Sequence, residues 1–433
     1  MLFASTRSPG TGVSFSAALA QGLAADGGLY VPAQWPVYGL QELEAPANEG
    51  ALSGLAQRLL APFVAGDALA GELDAITREA LDFPAPQFWL DPGQRLGVLE
   101  LFHGPTAAFK DFGARFLAAA LRRARRGSGR ALQILVATSG DTGGAVAAAF
   151  HGQPDIEVSV FYPKGLVSPT QEQQLTCWGG NVRSFAVRGR FDDCQRLVKQ
   201  AFADAALRER FDLTSANSIN LGRLLPQTVY YWAASLRVSR SLGQPVSFVI
   251  PSGNLGNATA CVWARRLGAP IASIVLAHNA NRTVPDYLEQ GMLRARASVA
   301  TLSSAMDVGD PSNLERLRAL YPDAVALGAA VSAVSIDDAA TRARIRADFE
   351  RYRRIWCPHT AVAAEAHARL TAAQRGAGPW LMVATAHAAK FREIVAPLIG
   401  GSVPMPENLA RLYDRPSSST EIEADVEALR RAL

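Results

Sequence analysis

At 433 residues the chain is too long for one simple core, so two or three domains are expected. Apolar residues make up 49% and charged residues 19%, the balance of a globular protein in water, and a formal charge of +4 is too small to mark a nucleic-acid binder. No run of about 18 apolar residues occurs, and no basic region precedes an apolar run near residue 1, so we expect neither a membrane span nor a secretory leader.

Residues 1–92 read as a small, mainly helical N-terminal domain. Helical apolar spacing covers 14–22 and 52–63, and Asp26-Gly-Gly28 with the Pro- and Ala-rich run from Pro32 to Pro46 breaks the chain between them. Pro84, Pro86 and Pro92 punctuate the exit. This region has no lysine and no histidine, so it carries no chemistry alone.

The grammar then changes over 93–433 to strand, polar loop, helix. The apolar run 131–137 suits a buried parallel strand and ends in Thr138-Ser-Gly-Asp-Thr-Gly-Gly144, before a helix at 145–150 and a strand at 157–162. The pattern returns with a strand at 246–250, the loop Pro251-Ser-Gly-Asn-Leu-Gly-Asn257, a helix at 258–267 and a strand at 271–277. A third strand, 380–384, opens into Thr385-Ala-His-Ala-Ala-Lys-Phe391. Such repetition describes an open α/β fold, in which we expect two α/β subdomains around a cleft, a smaller one at about 105–230 and a larger one at about 231–433. A helical insertion is expected near 311–354. Ligands of open α/β sheets sit at the carboxyl ends of the strands, so the three polar loops are expected to face one cleft. The arginine cluster Arg122-Arg123-Ala-Arg125-Arg126 reads as a solvated helix end.

Of 43 cationic residues only four are lysines: Lys110, Lys164, Lys199 and Lys390. Arginine cannot lose its proton in a protein, whereas a lysine amine can and then attacks carbonyls. Lys110 lies between Phe109 and Phe112 beside Asp111, an apolar setting that favours a free amine. Lys199, in a charged helical stretch, reads as surface charge. Cys177, Cys194, Cys261 and Cys357 stand far apart without CxxC or Cys/His spacing, as free thiols in a reducing cytoplasm do.

A Gly-rich turn between a buried strand and a helix aims several N–H groups and the positive end of the helix dipole at one point. The loop Gly253, Asn254, Leu255, Gly256 and Asn257 fits this description, lacks a Walker lysine, and is followed by no acid placed for NAD. The loop of Ser139, Gly140, Asp141 and Thr142 is a second such turn. A reactive lysine, an anion loop and an α/β cleft together suggest pyridoxal phosphate, with Thr385 as a neutral partner for the pyridine nitrogen.

His103-Gly-Pro-Thr-Ala-Ala-Phe-Lys-Asp-Phe-Gly113 resembles the lysine motif of threonine synthases, which belong to the tryptophan-synthase-β-like, fold type II pyridoxal phosphate enzymes. Asp26-Gly-Gly-Leu-Tyr-Val-Pro32, Ala216-Asn-Ser-Ile-Asn220, Gly222-Arg-Leu-Leu-Pro226, Met306-Asp-Val-Gly309, Pro311-Ser-Asn313 and Pro358-His-Thr-Ala-Val362 extend the resemblance over nearly the whole chain. The resemblance implies Lys110 as the Schiff-base lysine, residues 253–257 on the cofactor phosphate and Thr385 at the pyridine nitrogen. It implies a substrate, O-phospho-L-homoserine, converted with water to L-threonine and phosphate. Ser139, Gly140, Asp141 and Thr142 would take the substrate carboxylate, and Lys164 and Arg223 its phosphate. His103 and His387 are expected as cleft-wall or hydrogen-bonding residues. Asp141 replaces an Asn common in related enzymes, Leu255 a Phe, and Ala388 a Pro. A related phospholyase or dehydratase, or a silent binding protein, are the alternatives; a monomer and a homodimer both fit.

Overall fold

The computed structural model describes residues 1–10, 12–43, 52–376 and 378–433. The end of the Pro- and Ala-rich run, at Pro46, lies outside the described residues. Strands β1 (Phe3–Ser5), β2 (Gly12–Val13) and β3 (Tyr30–Pro32) form a small antiparallel sheet in the order β2-β1-β3. Helices Phe15–Gln21, Leu52–Val64 and Leu73–Ala80 accompany it. The N-terminal region is therefore helical with a three-stranded addition, whose strands of two or three residues are too short to leave a period in the sequence.

Strands β4 (Gln87–Asp91) and β5 (Leu96–Glu100) open the next layer, and β6 (Leu132–Ala137), β7 (Ile156–Pro163), β8 (Val182–Arg188) and β9 (Asp212–Ser215) follow. Then come β10 (Val246–Pro251), β11 (Ile271–His278), β12 (Ser332–Ser335), β13 (Trp380–Ala384) and β14 (Thr420–Glu423). They form two sheets, β12-β11-β10-β13-β5-β4 and β14-β8-β7-β6-β9. All pairings are parallel except β4 with β5. Every residue of β6, β10 and β13 is buried, which is why these strands read as unbroken apolar runs.

Three assignments shift. Residues 87–91 belong to the large sheet, inside the span given to the N-terminal domain. The expected helical insertion contains helices Leu314–Leu320, Ala324–Ala330 and Asp338–Tyr352, but also edge strand β12, whose Ser-Ala-Val-Ser sequence is largely outside the core. At the far end, β14 crosses back to pair with β8 in the smaller sheet, although 231–433 was expected wholly in the larger one.

The helix Lys110–Ala124 links the layers. It buries Phe112, Phe116, Leu117 and Leu121, and Phe116 meets the ring of Phe15 at 6.5 Å. Burial of one such aromatic ring contributes about 2–3 kcal/mol. Its last turn carries Arg122 and Arg123, suited to the negative end of the dipole, and these pair with Glu79 and Glu72 of the N-terminal region. The N-terminal region thus clamps the helix that Lys110 begins.

Candidate active site

Lys110 is placed by main-chain bonds. Phe109 N donates to the Thr385 carbonyl at 2.8 Å, and His387 N to the Ala107 carbonyl at 3.0 Å, so the approach to Lys110 lies against the loop after β13. The Lys110 Nζ donates to Thr142 Oγ1 at 2.8 Å, at the start of the helix that follows β6. Burial lowers the Lys110 pKa from 10.5 to about 8, with Asp141 opposing the shift and Arg223 and Lys390 adding to it. At neutral pH about one molecule in ten then holds the free amine, some 300-fold more than for an ordinary lysine.

Facing this amine, the loop after β10 turns sharply. Leu255 adopts a left-handed φ of 62°, and a Cβ on Gly253 would stand 2.7 Å from Met306 Cα, so only glycine lets these backbones meet. The N–H groups of residues 253–258 meet no acceptor among the described residues. Asn257 Oδ1 accepts from the Tyr230 and Tyr231 hydroxyls, at 2.5 and 2.9 Å, and its buried Nδ2 has no partner among the described residues. Asn254 is already committed, with Nδ2 on Ser218 Oγ at 2.7 Å and Oδ1 accepting from Ser312 N at 2.6 Å. Its side chain is therefore a clamp for the loop rather than the added donor expected from the sequence.

The loop after β6 is a second amide cradle. Thr138 Oγ1 accepts from Gly140 N and Gly143 N, both at 2.9 Å, while the N–H groups of Ser139, Asp141 and Thr142 meet no acceptor among the described residues. Gly140 has a φ of 131°, and a Cβ there would strike the Gln171 side chain at 2.4 Å. Arg223 is buried against the Lys110 helix, where glycine at 113 lets its carbonyl approach. Its Nη1 donates to the Ala216 carbonyl, its Nε has no partner, and no carboxylate pairs with it among the described residues. Burial pushes its pKa down to about 10, which leaves it charged near neutrality.

One cleft is lined by Lys110, Ser139, Asp141, Thr142, Arg223, residues 253–257 and Thr385, most of the residues singled out by sequence. Lys164 is not among them. It follows the carboxyl end of β7 in an exposed turn and pairs with Glu421 of β14, so the strand that crosses back removes it from the cleft. Gly140 shapes its loop from behind. His103 and His387 line a different concavity, on the other side of the loop after β13. Sequence reasoning gave no role to His359, whose Nε2 accepts from Ala305 N at 3.1 Å while Nδ1 has no partner. Burial lowers its pKa to about 4, so it is neutral in the cleft wall. The buried Lys390 was also passed over as a neighbour of the Thr385 loop. Its position after Ala388 and Ala389 was the available signal.

These residues fit pyridoxal phosphate. The open amides of 253–258 and the orphaned Asn257 Nδ2 suit a phosphate, Lys110 offers an amine across the cleft, and the Thr385 hydroxyl makes no hydrogen bond among the described residues. Fold and site together define a pyridoxal-phosphate-dependent enzyme of fold type II. In agreement, residues 87–386 match the family described as pyridoxal-phosphate dependent enzyme. Residues 2–81 match the threonine synthase N terminus, and 360–433 the threonine synthase C-terminal family. The threonine synthase of Haemophilus influenzae is 42% identical over 97% of this chain and 96% of its own, and that of Escherichia coli K12 39% identical over the same shares. The solved threonine synthase of Escherichia coli superposes with a TM-score of 0.91 at 36% identity, covering 100% of this chain and 99% of its own. A pyridoxal-phosphate-bound threonine synthase from Brucella melitensis gives 0.90 at 33% identity, covering 100% and 98%. The chain belongs to the threonine synthase family. It is a pyridoxal-phosphate-dependent lyase, and pyridoxal 5'-phosphate is its cofactor.

Proposed function

We propose that the chain converts O-phospho-L-homoserine and water to L-threonine and phosphate, the last step of threonine biosynthesis, and that it does so in the cytoplasm as a monomer or homodimer. The observation that carries the reading is the deep cleft that holds one depressed lysine amine between two amide cradles and a buried, unpaired arginine. Four free cysteines fit a reducing compartment, and among the described residues no helix is long and apolar enough to cross a membrane.

In this reading the N–H groups of Gly253, Asn254, Leu255, Gly256 and Asn257, with Asn257 Nδ2, hold the cofactor phosphate at a helix N-terminus. Lys110 carries the cofactor between turnovers, and the Thr385 hydroxyl meets the ring nitrogen as a neutral partner. When bound, the cofactor withdraws electrons from the substrate and makes its α and β protons removable. The amine of Lys110, once released, takes those protons at Nζ, which its lowered pKa allows near neutrality. Ser139, Asp141 and Thr142 hold the substrate carboxylate on their open amides, in the loop that Gly140 shapes. Arg223 holds the phosphate that leaves from the γ carbon. Its charge is fixed and, lacking a carboxylate partner, is available to an anionic ligand.

Product analysis tests this reaction. Holoenzyme given O-phospho-L-homoserine is expected to release threonine and phosphate in equal amounts. Ammonia and a keto acid as main products would overturn the synthase reading in favour of a phospholyase or dehydratase.

A further inference from the structure

We propose that Lys390 is a positioning residue that neutralises the Asp141 carboxylate and so leaves the Lys110 amine free to act as a base. The inference rests on the reading of Lys110 as the reacting amine. Lys390 Nζ lies 2.8 Å from Asp141 Oδ1, with the two side chains 0% and 4% exposed. The same ammonium donates to the Thr106 carbonyl at 3.0 Å. Gln171 Nε2 donates to Asp141 Oδ1 at 2.9 Å, fixing the carboxylate from the other side. The residue after Asp141 is Thr142, whose hydroxyl meets Lys110 Nζ at 2.8 Å. Lys110 and Asp141 thus line the cleft side by side, with the buried Lys390 paired to Asp141 behind the wall.

A buried carboxylate binds the nearest cation tightly, because water cannot compete. Were Lys110 the only lysine in this corner, Asp141 would hold it as an ammonium. Lys390 offsets part of that attraction, so Asp141 holds a proton on Lys110 less strongly. The other charged or titratable groups facing Lys110 are Arg223, which opposes a proton on it, and His359, which burial keeps neutral. Lys390 also faces Asp111, which is buried and held by Thr106 N and Oγ1. A compact ammonium with three donors suits an enclosed site shared by a carboxylate and a carbonyl, in a chain that otherwise writes arginine.

The test reads the proton on Lys110 Nζ without turnover, from the pH midpoint of the visible absorption band of the holoenzyme. Lys390→Met is expected to raise the midpoint by about one unit or more, and Asp141→Asn to lower it by a similar amount. The double variant, which removes both charges, should titrate between the two single variants. If Lys390→Met alone does not fold, Asp141→Asn compared with the double variant isolates the charge of Lys390, and the double variant should titrate higher. Single substitutions that leave the midpoint unmoved, or a double variant that titrates outside the interval between the two single variants, overturn the proposal. A wild-type protein that shows the band and turns over keeps the Lys110 reading intact in either case.

Discussion

In the proposed reaction the reactive group is the Lys110 amine, from which burial makes the proton easier to remove. Lys110 owes its pKa of about 8 first to burial, with Arg223 and Lys390 adding to the effect and Asp141 working against it. Arg223 lies in the same cleft but cannot give up its charge, so in the proposed reaction Lys110 transfers protons and Arg223 binds the anion. Its Nε without a partner is costly in a buried group unless a ligand fills it. Arg223→Met is therefore expected to raise KM for O-phospho-L-homoserine about 10- to 100-fold, the value of one charge-assisted contact. Steady-state kinetics, with inorganic phosphate as a competing anion, check this. An unchanged KM with unchanged phosphate inhibition would remove Arg223 from the phosphate site.

At the scale of elements, legibility followed burial only in part, since the largely buried β5 and β8 were not singled out from the sequence. Strand β13 lies at 380–384 as expected, and β6, β7, β10 and β11 within a residue or two, because strands covered on both faces leave continuous apolar runs. The two loops were legible from their glycines, and the positive φ at Gly140 and the close approach at Gly253 give the physical cause. Lys110 stood out through lysine scarcity and its phenylalanine neighbours. The short strands β1, β2, β3, β12 and β14 were not legible, since a few edge residues carry no period. Lys164 was misplaced for the same reason: its partner Glu421 arrives on β14, 257 residues away, and no local pattern announces such a pairing. The Arg122–Arg126 cluster does end a helix, with Arg126 largely in solvent, and ion pairs also tie it to Glu72, Glu79 and Asp212.

Across the whole molecule, buried polar braces connect the small N-terminal sheet to the cleft. The enclosed Arg316 donates to the carbonyls of Tyr30 in β3 and of Ser218 and Ile219 beside the phosphate loop. Burial of titratable groups also sets how the fold responds to acid. His278 is lowered to about 3, and His359, His367 and His387 to about 4, in each case mainly by burial. Below their ordinary value of 6.5 the unfolded chain binds protons on these four that the native protein does not. Burial raises Asp307 to about 7, which acts in the opposite direction. Burial raises Asp111 as well, and four histidines against these two carboxyls still leave the unfolded chain with more bound protons near pH 5, so stability falls as pH drops from about 6.5. Thermal unfolding at a series of pH values checks the sign. An unfolding temperature that stays level or rises on acidification would contradict it.

The account as a whole turns on the amine of Lys110. The most direct measurement is the visible absorption spectrum and turnover of Lys110→Ala beside wild type, both loaded with pyridoxal phosphate and matched by far-ultraviolet circular dichroism. We predict that the variant keeps its fold, loses the band of lysine-bound cofactor and loses threonine formation by a factor of about a thousand or more. A folded variant that retains the band, or that still makes threonine at a rate near wild type, would contradict the account.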